Sequence, residues 1–295
     1  MHVILAGAGI SGMMSARELL LSGAQVTLID RRQPGRESSW AGGGIVSPLY
    51  PWRYSNAVNQ LARRSQQVYA ELAAQLQENS GIDPEYLNSG LLIVAPDETR
   101  EALQWAQQWR SELQQLDRKQ MHEIEPNLAP PAEQGLWLPR VAQVRNPRFM
   151  QALYKELQRL GANFILDTTV TGFERRGASI SAVKTSAGDH TADSFILCSG
   201  AWAGEMLHGI MQQPEIEPVL GQMLLFRAEP DTVRRITLWD SHYTVPRRDG
   251  RVLFGSTIEH TGFTKKTTRE AAELLQQCAI DLYPQLAGCP IEHHW

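Results

Sequence analysis

Residues 2–30 read HVILAGAGISGMMSARELLLSGAQVTLID, and the fold follows from how that stretch divides. His2–Ala6 is an apolar, strand-like run, and GAGISG leads from it into a helix over Met13–Leu21. Gly23 closes that helix, and AQVTLID is a second buried strand. This is a βαβ opening. Gly7, Gly9 and Gly12 form a G-x-G-x-x-G set between strand and helix, with Asp30 ending the next strand about twenty residues on. Gly7 permits the tight turn, Gly9 lets backbone approach a pyrophosphate, and Gly12 allows close helix–strand packing. Around Ala8, Ile10 and Ser11 the helix start offers free N–H groups and a partial positive charge to phosphates. The Asp30 carboxylate suits ribose hydroxyls.

That fingerprint does not separate NAD from FAD. A plain NAD site continues with another βα unit, whereas residues 29–52 here read IDRRQPGRESSWAGGGIVSPLYPW. Gly42, Gly43 and Gly44 expose backbone amides and carry no Cβ, so this run can lie against a flat ring or a diphosphate. A flexible loop is the plain alternative. SFILCSGAW, residues 194–202, adds a buried strand ending in the small residues Ser199, Gly200 and Ala201. Taken together, the three features favour FAD.

Further along, Val58, Leu61, Val68, Leu72 and Leu76 recur at helical spacing over residues 57–77. SGLLIVAP is a strand, and Asp97 is placed to cap a helix carrying Leu103, Trp105, Trp109, Leu113 and Leu116, read as core. IEPNLAPPAEQGLWLPR, residues 124–140, reads as loop. Asn146-Pro147 starts a helix, the amide as cap and the ring preset to helical φ, which Gly161 ends. NFIL, TVTGFER, SISAVKT and SFILCSG then suggest an antiparallel meander with turns at Arg176-Gly177 and Gly188-Asp189. GQMLLFRA and HYTVPRRDGRVLFGST repeat the pattern, with Asp249-Gly250 as a hairpin turn.

With 42% hydrophobic and 20% charged residues over 295 positions and a net charge of −4, the chain reads as globular, without a nucleic-acid surface or polybasic membrane anchor. Cys198, Cys278 and Cys289 share no ligand-like spacing and fit a reducing cytosol. No basic leader opens the chain and no apolar run approaches the ~18 residues of a membrane span, so a cytoplasmic protein is the expectation. His293-His294, adjacent near the end, are read as strand residues, and no metal is expected.

HVILAGAGISG, LIDRR, SSWAGGGIVSP, ILCSGAWAG and YTVPRRDGRVLFGST fall in order along nearly the whole chain. Together they resemble the D-amino-acid oxidase superfamily of flavoproteins, most closely the branch that oxidises glycine for the thiazole of thiamine. The resemblance implies an α/β plus α+β fold, a Rossmann-like FAD-binding domain (1–84 and 145–216) interleaved with an antiparallel-sheet substrate domain (85–144 and 217–295). It implies noncovalent FAD held by Gly7, Ala8, Gly9, Ile10, Ser11, Gly12, Asp30 and Arg31 at the adenosine diphosphate. Ser39, Ala41, Gly42, Gly43 and Gly44 match the loop along the pyrophosphate and flavin, and the Val170 backbone meets adenine. Ser199, Gly200 and Trp202 match the second dinucleotide strand end.

Tyr243 matches a tyrosine whose hydroxyl faces the substrate, while Arg247 reads as a hairpin charge. The implied reaction is oxidation of glycine or another small amino acid to the imine by hydride transfer to flavin N5, with O2 giving H2O2. A D-amino-acid dehydrogenase passing electrons to a quinone, a sarcosine-type oxidase and a flavin-binding protein without turnover stay open. A homotetramer is also implied. In the superfamily a tryptophan like Trp295 begins W-x-G-x-R-P, whose arginine holds the substrate carboxylate, and a later glycine-rich segment closes over the flavin. Neither is in this sequence, so the expectation is a longer native chain and weak or no activity from these residues alone.

Overall fold

The computed structural model describes residues 1–295 apart from 130, 131, 209, 211 and 213. Two units emerge, each built from three separate segments. Met1–Gly42, Ala73–Pro84 and Asn146–Pro218 make the first; Gly43–Leu72, Glu85–Arg145 and Val219–Trp295 make the second.

In the first unit four parallel strands lie in the order Ser194–Leu197, His2–Ala6, Gln25–Ile29, Asn163–Ile165. His2–Ala6 has a strand on each side, and Val3 to Ala6 are all buried, as a continuous apolar run in a parallel sheet requires. The following helix spans Ile10–Leu21, starting before the expected Met13, because Gly12 belongs to its first turn and rests on the Gly7 carbonyl. NFIL and SFIL are parallel members of this sheet, not parts of a meander. Asn163–Ile165 follows the helix Asn146–Arg159, and a helical crossover returns a strand parallel to its neighbour. The antiparallel meander is confined to Val170–Arg176, Ser179–Thr185 and Gly188–His190, and its second reversal falls at Ser186-Ala187 because Gly188 and Asp189 are already paired.

A buried ion pair joins the helices of this unit. Arg17 Nε donates to Glu156 Oε2 at 2.9 Å, and Arg17 Nη2 donates to Gln75 Oε1 at 2.9 Å. Asn79 Nδ2 donates to Glu156 Oε1 at 2.7 Å. These bonds satisfy charges that would be costly to bury alone, and they hold the last turns of the helix Asn56–Ser80 within the first unit.

The second unit is organised by an eight-stranded sheet in the order Ile291–His294, Met223–Arg227, Arg251–Gly255, His242–Pro246, Ile236–Trp239, Leu91–Val94, Gln134–Leu138, Gln114–Asp117. Neighbours are antiparallel except Ile236–Trp239 with Leu91–Val94. Both faces are covered. Leu92, Val94, Leu224 and Phe226 join one core with Leu275, Ala279 and Leu282 of the helix Arg269–Leu282, while Leu91, Ile93 and Met223 point into the other. Ile45, Leu49, Tyr50 and Trp52 pack on that second core, which groups 43–72 with this sheet, whereas the sequence reading assigned it to the first domain.

The helix after SGLLIVAP spans Thr99–Trp109, preceded by Glu98 rather than Asp97 and with no side chain capping it. Arg110 adopts φ 50° and stops it, so Leu113 and Leu116 lie beyond, Leu116 buried in the strand Gln114–Asp117. Trp105 packs against the core and its Nε1 donates to Asn59 Oδ1 at 3.1 Å. The stretch read as loop over 124–140 holds the strand Gln134–Leu138, whose buried Leu136 and Leu138 alternate with Trp137; Pro130 and Pro131 lie outside the described residues. Among the described residues no helix is long and apolar enough to cross a membrane.

Candidate functional site

The first unit gathers the residues read as dinucleotide ligands around the start of one helix. A Cβ on Gly7 would run into Cys198 O, and one on Gly12 into Gly7 O, so the turn closes only with glycine at both places. Gly7 also sits at φ +114°. Gly9 differs. It is extended at φ −75°, and a Cβ there would meet only the Ser39 hydroxyl, at 3.1 Å. Ser39 reaches this loop from the short helix Ser38–Ala41, its Oγ accepting the Ile10 N–H at 2.9 Å. Gly9 brings no side-chain cap to the 12-residue helix behind it, and with the Ile10 N–H taken by Ser39 the next N–H groups of the first turn are those a helix start offers an anion.

Asp30 is bound on both oxygens by backbone: Ala8 N donates to Oδ2 at 2.7 Å and Arg32 N to Oδ1 at 2.9 Å. Lone pairs remain for a ribose. Its carbonyl accepts the Thr168 N–H, which draws Val170 toward this end of the sheet, where Val170 packs with Ile4, Ile29 and Val183. On the other side of His2–Ala6, Cys198 N donates to Ala6 O at 2.8 Å and sets Ser199 beside Gly7. The Ser199 hydroxyl is buried with no partner among the described residues. Gly200, at φ +55°, opens a short 3-10 turn to Trp202, and the Arg31 guanidinium lies 3.7 Å from the Trp202 ring centre while Arg31 Nη2 donates to Glu37 Oε1. An orphaned hydroxyl, a helix start and a turn closed only by glycine at Gly7 and Gly12 fit a dinucleotide phosphate.

The second glycine run is divided between the units. Gly42 belongs to the first, where its carbonyl accepts from Asn146 Nδ2 at 3.0 Å, so the residue that begins the helix Asn146–Arg159 spends its side chain on the glycine run. Gly43 and Gly44 belong to the second. A Cβ on Gly43 would meet the Tyr243 ring at 2.9 Å, and Gly44 adopts φ +76° while its carbonyl accepts from Val144 N. Tyr243 stands on the strand His242–Pro246 and its hydroxyl makes a weak bond to Met223 Sδ at 3.7 Å. Burial pushes that hydroxyl's pKa up, with the Ser256 hydroxyl and the Arg247 charge pulling the other way.

Arg247 is not a solvated hairpin charge. Its Nη1 donates to Gln143 Oε1 at 2.8 Å and to Val144 O at 3.0 Å, and its Nη2 donates to Gly43 O at 2.9 Å. Alternation along the strand carried the missed signal: Tyr243, Val245 and Arg247 share one face, and two apolar residues there point inward. A shifted pKa alone would mislead. Burial lifts Glu125 to about 7, yet it lies in the core, one oxygen accepting from Arg234 N and Arg235 N at 2.8 Å each.

The family described as FAD dependent oxidoreductase matches residues 2–295. A glycine oxidase of Pseudomonas aeruginosa is 43% identical, the match covering 100% of this chain and 81% of that protein. A glycine oxidase of Pseudomonas putida is 39% identical with the same coverage. The crystal structure of glycine oxidase from Geobacillus kaustophilus has a TM-score of 0.93 and 23% identity, covering 99% of this chain and 80% of that one; at such identity the likeness speaks for the fold.

Proposed function

This chain belongs to the family of FAD-dependent oxidoreductases, and from that premise we propose that it oxidises glycine, or another small primary or secondary amino acid, to the imine. The observation that carries the choice of substrate is the 43% identity, across all of this chain, to a protein named glycine oxidase. Bound FAD would supply the two-electron chemistry of a hydride transfer from the substrate Cα, with O2 as final acceptor and H2O2 as product.

The protein's own part is holding and placing. The Gly7–Gly12 loop, the helix start behind it and the free Ser199 hydroxyl hold the diphosphate. Asp30 takes the ribose, Arg31 and Trp202 flank the adenosine end, and the Val170 backbone meets adenine. The run holding Ser39, Ala41, Gly42, Gly43 and Gly44 lies along the pyrophosphate and flavin, its three glycines leaving that backbone bare. Tyr243 offers its hydroxyl to the substrate, and no general base is required of the chain when the amine enters neutral. The first unit is thus the FAD-binding domain and the second the substrate domain. A homotetramer in the cytoplasm, with the imine feeding thiazole formation, belongs to the same reading.

The test is the visible spectrum of the purified protein before and after anaerobic addition of glycine. Bleached flavin bands with peroxide on readmitting air support the reading. Faster bleaching by sarcosine or D-alanine moves the substrate, and bleaching that only a quinone reverses makes the protein a dehydrogenase. Bands unmoved by any amine leave a flavin-binding protein without turnover.

A further inference from the structure

A partly buried arginine usually faces a carboxylate, because a charge drawn out of water without compensation is expensive. Arg247 faces the Gln143 side-chain amide and the carbonyls of Val144 and Gly43. Carboxylates are close by but engaged elsewhere: Arg145 takes Glu85 at 3.2 Å and Asp249 at 2.9 Å. Burial, with Arg145 adding to it, brings the Arg247 pKa down to about 10, so the guanidinium stays charged at neutral pH.

The acceptors are themselves fixed. Gln143 is 1% exposed, donates through Nε2 to Ser89 Oγ at 3.0 Å, and bridges both Ile45 and Leu87 through its backbone. Gly43 itself lies on a segment without regular structure, and a Cβ built on it would meet the Tyr243 ring at 2.9 Å. The planar fork of an arginine can grip the rigid Gln143–Val144 edge with one nitrogen and the Gly43 carbonyl with the other; a lysine ammonium cannot reproduce that span.

We propose that Arg247 is a positioning residue: it fixes the Gly43 carbonyl against the Gln143–Val144 edge and so sets the floor on which the Tyr243 ring, and its substrate-facing hydroxyl, are held. The kinetic part of this inference rests on the reading of Tyr243 and glycine given above; the structural part does not.

Two measurements test it on Arg247→Lys, which keeps the charge, and Arg247→Met, which keeps much of the volume. Hydrogen exchange of the cofactor-free protein comes first. Exchange across 43–46 rises at least about tenfold in both variants, with the helix Arg269–Leu282 unchanged. Unchanged exchange at 43–46 overturns the proposal, whatever the protein does with glycine.

The second is a cycle with Tyr243→Phe, read as kcat and KM for glycine. Arg247→Lys lowers kcat/KM about tenfold, mainly through KM, and has little further effect once the hydroxyl is gone. Independent, multiplying losses overturn the positioning role. A parent protein that leaves glycine untouched refutes the substrate reading, and the exchange measurement then decides the role of Arg247 by itself.

Discussion

In the loop Gly7–Gly12, a methyl group on Gly7 would strike Cys198 O and one on Gly12 would strike Gly7 O. In the run Gly42–Gly44, the obstacles are the Asn146 Nδ2 at 3.1 Å and the Tyr243 ring at 2.9 Å. Backbone stands in the way in the first case and side chains in the second. Backbone cannot retreat without undoing a strand or a helix, whereas a side chain can move or be replaced. The first loop is therefore fixed by the fold and the second by its neighbours.

The comparison predicts a graded series. Gly12→Ala comes first, with a loss of about 3 kcal/mol in denaturant unfolding and no second-site change that restores it. Gly43→Ala follows, costing about 1–2 kcal/mol. Adding Tyr243→Leu to it recovers most of the stability while activity stays low. If no such recovery is seen, the obstacle is not the ring and the distinction between the loops collapses. Gly9→Ala has the smallest effect on folding, within about 0.5 kcal/mol, because no backbone crowds it and its φ of −75° suits alanine. Yet FAD binds about tenfold more weakly to that variant by fluorescence titration, since only a ligand gives Gly9 a reason to be glycine. Unaltered FAD affinity would move the phosphates away from this loop.

The same contrast explains what could be read in advance. The Gly7–Gly12 turn and the strands beside it were legible because their residues interact at short range, in a spacing that physical tasks dictate. Asp30 reached its place through the Ala8 and Arg32 amides, both close to it in sequence or along the sheet. What escaped was partnership across long separations. The direction of Asn163–Ile165 depends on the strand Gln25–Ile29, and nothing within four residues of NFIL states it. Arg247 looked like a hairpin charge because its acceptors Gln143, Val144 and Gly43 lie 103 to 204 residues away. The stretch 43–72 was grouped by adjacency, while Ile45 and Trp52 find their core on strands much later in the chain.

The place of His2–Ala6 inside its sheet has a consequence in time. Its N-terminal amide donates to Asp193 Oδ2, 191 residues on, and the strand Ser194–Leu197 covers its second side. A ribosome adding roughly 5–20 residues each second leaves that edge uncovered for about 10–40 s after the strand has emerged. An apolar strand with an open side can pair with a neighbouring nascent chain. A strand made so long before its neighbour is thus sheltered late, and the yield in a cell depends on how that interval is spent.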